Sequence, residues 1–287
     1  MSVQNKLKII TWNARGIRNK KSEFFDFIIK HNIDLALISE SGLNESFKFE
    51  HTNFNCYRQD RTMQRGGGVA IIINKNITHE NIPSLNTKLI ENVGINIKRP
   101  NNLYFTIFAC YFPEGTAGST PNRKADFKAD LLKFSRINSE YLLGGDFNGR
   151  HNNWGCLRAN CWGNILSDLV TTNAFSMLFP PDPTYVPAHA NVNFSTLDYF
   201  ITNASNKLSP AKTLNALSSD HLPVYIECLD PVEFSRQSYT YKFNRANWHH
   251  FKNIIEDKLN ETPFNIRNVN DIDFCIDKFT QTIQEAI

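Results

Sequence analysis

Apolar residues fall along this chain in short runs, most of them closed by a polar side chain. Residues 7–12 make a brief β-type run that stops at Asn13, with Arg15 and Gly16 behind it. Residues 34–40 are apolar between polar bounds, the pattern of a strand covered on both faces, and Glu40 closes the run. Further strands are predicted over 69–73, 89–97 and 103–111, the last ending in Tyr111-Phe112-Pro113. Leu142-Leu143-Gly144-Gly145-Asp146-Phe147-Asn148 reads as a buried strand that ends abruptly. On extended backbone Asp146 and Asn148 point to one side, and Phe147 points to the other, toward the core. Residues 195–201 form a strand carrying Asp198, and Asp220-His221 precede a last strand over 222–227.

Helical spacing alternates with these runs. Asn19 can cap a helix to about residue 32, with Phe24, Phe27, Ile28 and His31 on one face. Residues 121–137 begin with proline and place Phe127, Leu131 and Phe134 at helical intervals, and 164–172 reads as a shorter helix. After Asp230-Pro231 the texture changes. Trp248, Phe251, Ile255 and Leu259 share one helical face, and Ile272, Cys275, Phe279 and Ile283 share another, with Pro263 in the joining loop. The expected division is a body over residues 1–230 and a helical segment over 231–287.

Composition narrows this modestly. A chain of 287 residues with 41% hydrophobic and 12% aromatic content can bury a substantial core, which argues against disorder. The net charge of +3 neither requires nor excludes a nucleic-acid partner, because a basic face can sit on a nearly neutral protein. No apolar run approaches the ~20 residues of a membrane span, so no membrane partner is expected. The N-terminus does not read as a secretory signal. Of the six cysteines only Cys156 and Cys161 are close, and they lack the second pair a zinc site needs, so reduced thiols of an intracellular protein are expected. Arg58, Arg61 and Arg65 lie in a polar stretch that could contact a phosphate backbone or be a solvated hairpin loop. Gly66-Gly67-Gly68 precedes a strand, so it is no phosphate-cradling loop. His151 has no partner at ligand spacing and is assigned a structural loop role.

Taken singly, each polar strand end has a plain explanation: an Asx-turn at Asp146, a turn-former at Asn13, a solvated loop at Glu40, an exposed histidine at Asp220-His221. Together they are hard to attribute to coincidence. The ordered set Trp12-Asn13, Ser39-Glu40, Tyr111-Phe112-Pro113, Gly145-Asp146-Phe147-Asn148, Leu197-Asp198-Tyr199 and Ser219-Asp220-His221 resembles the endonuclease/exonuclease/phosphatase family, the relatives of apurinic endonucleases and deoxyribonuclease I. The resemblance covers residues 7–228. It implies an α/β fold, a four-layered sandwich in which two mixed β-sheets pack face to face and are flanked by helices. The run Gly144 through Gly155, with Asn148-Gly149-Arg150-His151 and Trp154, is similar to one branch, the endonuclease domains of jockey-like non-LTR retrotransposons. So are Ser195-Thr196-Leu197-Asp198 and Ser218-Ser219-Asp220-His221-Leu222-Pro223. Gly149 departs from the alanine usual there. The branch implies a reverse transcriptase domain in the same polyprotein, absent from this stretch, with residues 231–287 leading toward it.

A phosphodiester resists hydrolysis because its negative charge repels hydroxide. A catalyst supplies a cation or donors for the charge on phosphorus, a positioned water and help for the leaving oxygen. Glu40 is the first choice of metal ligand, and hard oxygen ligands suit Mg²⁺, with Mn²⁺ as a substitute. Asp146 would orient or deprotonate the attacking water and Asn148 would fix its geometry. His221 would donate to the phosphate or act as general acid. By resemblance Asp198 orients His221, Asp220 lies near the metal, and Asn13 and Tyr111 contact the scissile phosphate. Resemblance also places DNA recognition in loops over the cleft, here the residues Arg15, Arg58, Arg61 and Arg65 and the segment with Thr184, Tyr185, Asn193 and Ser195. The expectation is a Mg²⁺-dependent endonuclease, acting in the nucleus on double-stranded DNA, whose nick leaves a 3′-hydroxyl to prime insertion. The alternatives are an apurinic-site repair nuclease or phosphatase on the same fold, and a catalytically inactive DNA-binding module.

Overall fold

Two parallel strand pairs organise the body of the protein. In chain order its elements are β1 (Leu7–Asn13), α1 (Lys21–Lys30), β2 (Leu35–Ser39), β3 (Phe54–Gln59), β4 (Val69–Asn74), β5 (His79–Ile82), β6 (Glu91–Arg99) and β7 (Leu103–Tyr111). They continue with α2 (Pro121–Phe134), β8 (Glu140–Asp146), α3 (Cys161–Thr171), β9 (Ser176–Leu178), β10 (Asp198–Thr202), β11 (Lys212–Thr213) and β12 (Val224–Cys228). The computed structural model describes residues 6–61, 66–114, 121–187, 193–234, 247–261 and 269–286. Helix α1 returns the chain so that β1 and β2 run parallel, and α2 does the same for β7 and β8. The remaining pairs are antiparallel, giving two mixed six-stranded sheets ordered β11-β12-β1-β2-β4-β3 and β5-β6-β7-β8-β10-β9.

The period-two alternation of each central strand separates the layers. In β2, Leu35 and Leu37 enter the core between the sheets, while Ala36 and Ile38 face outward beneath α1. In β8, Leu142 joins the same inter-sheet core, and Leu143 faces α2 and α3 with Phe127, Leu131 and Leu166. Helix, sheet, sheet and helices make the four layers expected from the resemblance. Both faces of the central strands are covered, which explains their continuous apolar runs.

A buried carboxylate fixes one connection. Asp130 on α2 accepts backbone N–H groups from Lys88 at 3.0 and 2.9 Å, Leu89 at 2.7 Å and Ile90 at 3.3 Å, and pairs with Lys133 at 3.0 Å. Removing this acceptor strands buried donors, so Asp130→Ala is expected to cost about 3 kcal/mol, read as an earlier urea midpoint at unchanged slope.

The chain divides into two compact units, Met1–Arg236 and Gln237–Ile287. Residues just past 230 belong to the body: Val232 is buried in the inter-sheet core, and Phe234 bridges Ile77. The second unit holds α4 (Trp248–Glu261), begun by Asn247 accepting the His250 N–H at 3.1 Å, and α5 (Val269–Ala286).

Candidate active site

Topology brings the polar strand ends together. Parallel pairing sets Asn13 beside Ser39 and Tyr111 beside Asp146. Strand β10 runs antiparallel to β8, so its first residue, Asp198, lies opposite Asp146. Strand β12 is antiparallel to β1, which puts the residues before Val224 next to the end of β1. Thus one edge of the sandwich collects Asn13, Glu40, Tyr111, Asp146, Asp198 and His221. Arg15, Glu40 and Asn148, which follow β1, β2 and β8, have left-handed φ values of 42°, 47° and 50°. Asparagine tolerates that conformation; arginine and glutamate resist it, and such strain concentrates at functional sites.

The two sheets are joined here by side chains. Asn13 donates its Nδ2 protons to Glu40 Oε1 and to Asp146 Oδ2, each at 2.8 Å. Its Oδ1 accepts the Arg15 N–H at 3.0 Å, and the side chain is fully buried. Asn13 is therefore a bridge with its bonding capacity spent, not the phosphate contact that the resemblance implied. Ser39, which the sequence did not single out as a site residue, donates to Cys110 O at 2.9 Å and accepts the Asp146 N–H at 3.1 Å. Asp146 Oδ1 accepts the Asn148 N–H at 2.9 Å, and Asn148 Nδ2 donates to Phe112 O at 3.0 Å, which leaves its Oδ1 for the cleft.

His221 and Asp198 form a buried pair. Nδ1 of His221 lies 2.7 Å from Asp198 Oδ2 and 4.0 Å from Asp146 Oδ2. A carboxylate can only accept, so the Nδ1 proton is assigned to that bond and Nε2 is left for the cleft. Thr184 donates to the same Asp198 oxygen at 2.8 Å, and its hydroxyl accepts the N–H groups of Leu197 and Asp198 at 2.9 and 3.1 Å. Thr184 is fully buried, so it holds the Asp198 carboxylate and cannot meet DNA as expected. No spacing in the sequence marks that role; it follows from the pairing of residues 184–185 with Ser195.

Burial sets the charges. It raises the Asp146 pKa, and the Asp198 carboxylate adds to the rise. Burial opposes a charged His221, but Asp198, with smaller help from Asp146 and Asp220, outweighs it and raises the imidazole to about 9. Tyr111 is held protonated by burial and by the Glu40 and Asp146 carboxylates. A histidine whose folded pKa exceeds its unfolded value adds stability that is full below the unfolded pKa and fades as pH rises through the folded one. For His221 that window runs from 6.5 to about 9. In metal-free protein, the stability lost on His221→Gln is therefore expected to be larger at pH 6 than at pH 10, as measured by urea unfolding.

These residues floor and wall a cleft of about 620 Å³. Tyr185, Asn193 and Ser195 line one side with Arg15, and the Tyr185 ring lies 5.0 Å from that of His221. Arg15 pairs with Asp220 at 2.7 Å, so Asp220 has an arginine partner, whereas Glu40 and Asp146 are joined by the neutral Asn13 amide. Arg58 lies outside the cleft: it lies in edge strand β3 and donates to Phe47 O and Asn44 O at 3.0 and 3.2 Å. Arg61 pairs with Glu91 at 2.5 Å, with its guanidinium 5.6 Å from the centre of the Tyr111 ring. Both arginines are engaged by groups of the protein and neither lines this cleft, and Arg65 lies outside the described residues. A larger groove, of about 820 Å³, runs between residues 45–52 and β3 and contains none of the converging strand ends.

The donor chemistry fits a hard divalent cation. Glu40 and Asp146 are held together by a neutral amide rather than by a cationic side chain, and with Asn148 they offer only oxygen. Single ligand atoms of Asp146, Asp198 and His221 also lie within 4.8 Å of one another. Because Nδ1 and the Asp198 oxygen already bond each other, that trio is better described as a histidine held by its acid.

The profile of the Endonuclease/Exonuclease/phosphatase family matches residues 10–221. The RNA-directed DNA polymerase from mobile element jockey of Drosophila funebris is 26% identical over 287 residues, 99% of this chain and 30% of that protein. The probable RNA-directed DNA polymerase from transposon X-element of Drosophila melanogaster is 27% identical over 98% of this chain and 30% of its own length. The chain thus spans about 30% of the curated relatives it matches. Among solved structures, the endonuclease domain of TRAS1, a telomere-specific non-LTR retrotransposon, superposes with a TM-score of 0.60 at 15% identity, covering 78% of this chain and 98% of that domain. The AP endonuclease LMAP from Leishmania major gives 0.62 at 14% identity, over 80% of this chain and 90% of the other. At such identities the two structures speak for the fold.

Proposed function

The chain belongs to the endonuclease/exonuclease/phosphatase family, and on that premise we propose that it is a Mg²⁺-dependent endonuclease that nicks one strand of double-stranded DNA. The observation that carries this reading is the junction of Asn13, Glu40 and Asp146 beside the Asp198–His221 pair, on one sheet edge and open to the cleft. Glu40, Asp146 and Asn148 would hold the cation, which when bound offsets the charge on the phosphate oxygens. Asp146, made basic by burial beside Asp198, accepts a proton from the attacking water, and the Asn148 amide oxygen fixes that water. His221, oriented by Asp198 and charged through neutral pH, donates from Nε2 to the phosphoryl oxygen as charge builds there. Tyr111, kept neutral, lines the same face and spends its O–H on the Glu40 carboxylate, holding that ligand in place.

Water attacking phosphorus with departure of the 3′ oxygen, which takes up a proton from solvent, leaves a 5′-phosphate and a 3′-hydroxyl. The curated relatives carry polymerase names and extend well beyond this stretch, which supports a role in priming: the nick supplies the primer end for a reverse transcriptase in the same polyprotein, at nuclear target DNA. The test is the chemistry of the end. Plasmid nicked with Mg²⁺ is offered to a DNA polymerase with labelled nucleotides. Direct extension is expected; extension only after phosphatase treatment would refute the proposed cleavage. An abasic oligonucleotide cut in preference to intact duplex would instead favour a repair enzyme.

A further inference from the structure

The cleft wall beside Asn148 holds an ion pair that the mechanism leaves unused. Arg150 Nη2 lies 3.1 Å from Glu114 Oε2, and both side chains are 42% exposed. Each stands on a fixed backbone. Asn160 accepts the Arg150 N–H at 3.0 Å, returns its own N–H to Arg150 O at 2.9 Å and donates Nδ2 to Asn148 O at 2.8 Å. Helix α3 approaches so closely that a Cβ on Gly163 would sit 1.9 Å from Arg150 O. On the other side of the pair, Arg123 Nη2 donates to the backbone oxygen of Glu114 at 3.0 Å. One asparagine therefore sets both the water-positioning amide of Asn148 and the arginine two residues on.

The pair is poorly suited to holding the fold together. An exposed ion pair contributes at most about 1 kcal/mol, so its exchange for another anion costs little. Arg150 Nε has no protein acceptor, and its N–H lies on the same edge of the guanidinium as Nη2, so Glu114 fills only one of the two donor positions on that edge. An edge with two N–H groups suits a phosphate, which it can grip through two parallel bonds once the carboxylate leaves.

Resting on the nuclease reading above, we propose that Arg150 seats a DNA backbone phosphate next to the scissile one, and that Glu114 occupies that seat in the free protein. Entering DNA exchanges a phosphate for the carboxylate. Glu114 then works against loosely placed backbones, since a phosphate that does not reach Arg150 meets only the negative charge. The device sets how selectively the cleft is filled, without touching the reacting atoms.

The test is equilibrium binding of a labelled duplex to the whole chain in EDTA, where no cutting occurs, over a series of salt concentrations. Arg150→Ala is expected to weaken binding about tenfold, and to lower the log–log salt slope by about 0.9, the value for one lost phosphate contact. Arg150→Lys should keep the slope and recover part of the affinity. Glu114→Gln should bind several-fold tighter, and that gain should vanish when Arg150→Ala is added. Parental affinity and slope in Arg150→Ala would overturn the phosphate seat. A Glu114→Gln gain of equal size with and without Arg150 would overturn the exchange, because Glu114 would then act by general repulsion. A parent chain that binds no duplex would remove the nuclease reading itself, and this inference with it. Both side chains are half-exposed, so the Lys and Gln variants test the idea with the fold intact.

Discussion

Asp146→Asn is expected to slow nicking by about 10²- to 10⁴-fold, the range for a lost general base, while leaving the protein at least as stable as the parent. Asparagine keeps an oxygen for the Asn13 amide, so the bridge between the sheets survives, while its NH₂ replaces the oxygen that accepted the Asn148 N–H, a loss of about 1 kcal/mol. It removes the charge that burial and the neighbouring Asp198 disfavour. An acid whose folded pKa is raised destabilises the fold as pH climbs above its unfolded value, so the variant should melt higher at pH 8. Lower activity with higher stability is the signature of a site built for chemistry at the expense of the fold. Adding His221→Ala to Asp146→Asn should cost far less than the product of the single effects, because the two groups serve one step. Initial rates of plasmid relaxation and thermal melts in parallel measure both halves. Equal rates in parent and Asp146→Asn would remove Asp146 from the reaction.

The largest structural effect is expected one residue earlier. A Cβ on Gly145 would stand 1.8 Å from Cys110 O and 2.7 Å from Cys110 C, both backbone atoms of the paired strand β7. Neither can step aside without parting β7 from β8, and those strands carry Tyr111 and Asp146 side by side. Gly145→Ala should cost about 3 kcal/mol or more, a fall of roughly 10 °C in melting temperature, or leave no soluble protein. Gly155 is the control. Its φ of 80° strains any side chain, but nothing lies within 4 Å of a Cβ there, so Gly155→Ala should cost only about 1 kcal/mol. If the two variants melt together, close strand contact at Gly145 is not what that glycine is for.

What could be read from the sequence was whatever sits at the ends of buried strands. A continuous apolar run such as residues 34–40 announces a strand covered on both faces; the polar residue at its end says little alone, but the ordered set of such ends carries the family resemblance. That logic located Asn13, Glu40, Tyr111, Asp146, Asp198 and His221, and parallel and antiparallel pairing brought them to one edge. Three kinds of feature escaped it. Short edge strands such as β3, β5 and β11 bury little, so their residues carry weak periodicity, and Arg58 read as a loop when it belongs to β3. Arginine is ambiguous by nature: the same residue type binds a phosphate or satisfies a carbonyl, and only the fold separates Arg58 and Arg61, which lie off the cleft, from Arg15, which lines it. Supporting residues are invisible for a related reason. Asn13 as a bridge, Ser39 as a brace and Thr184 as a clamp on Asp198 depend on partners 133, 107 and 14 positions away, and no local pattern encodes a partner so far off.

The most direct test of the whole account is relaxation of supercoiled plasmid by the purified chain with Mg²⁺, with EDTA and with Asp146→Asn run beside it. Open circles that form with Mg²⁺ and the intact site, and fail to form in either control, are the predicted result. Plasmid left supercoiled by the parent, or nicked equally by Asp146→Asn, would contradict the claim that this sheet edge hydrolyses DNA.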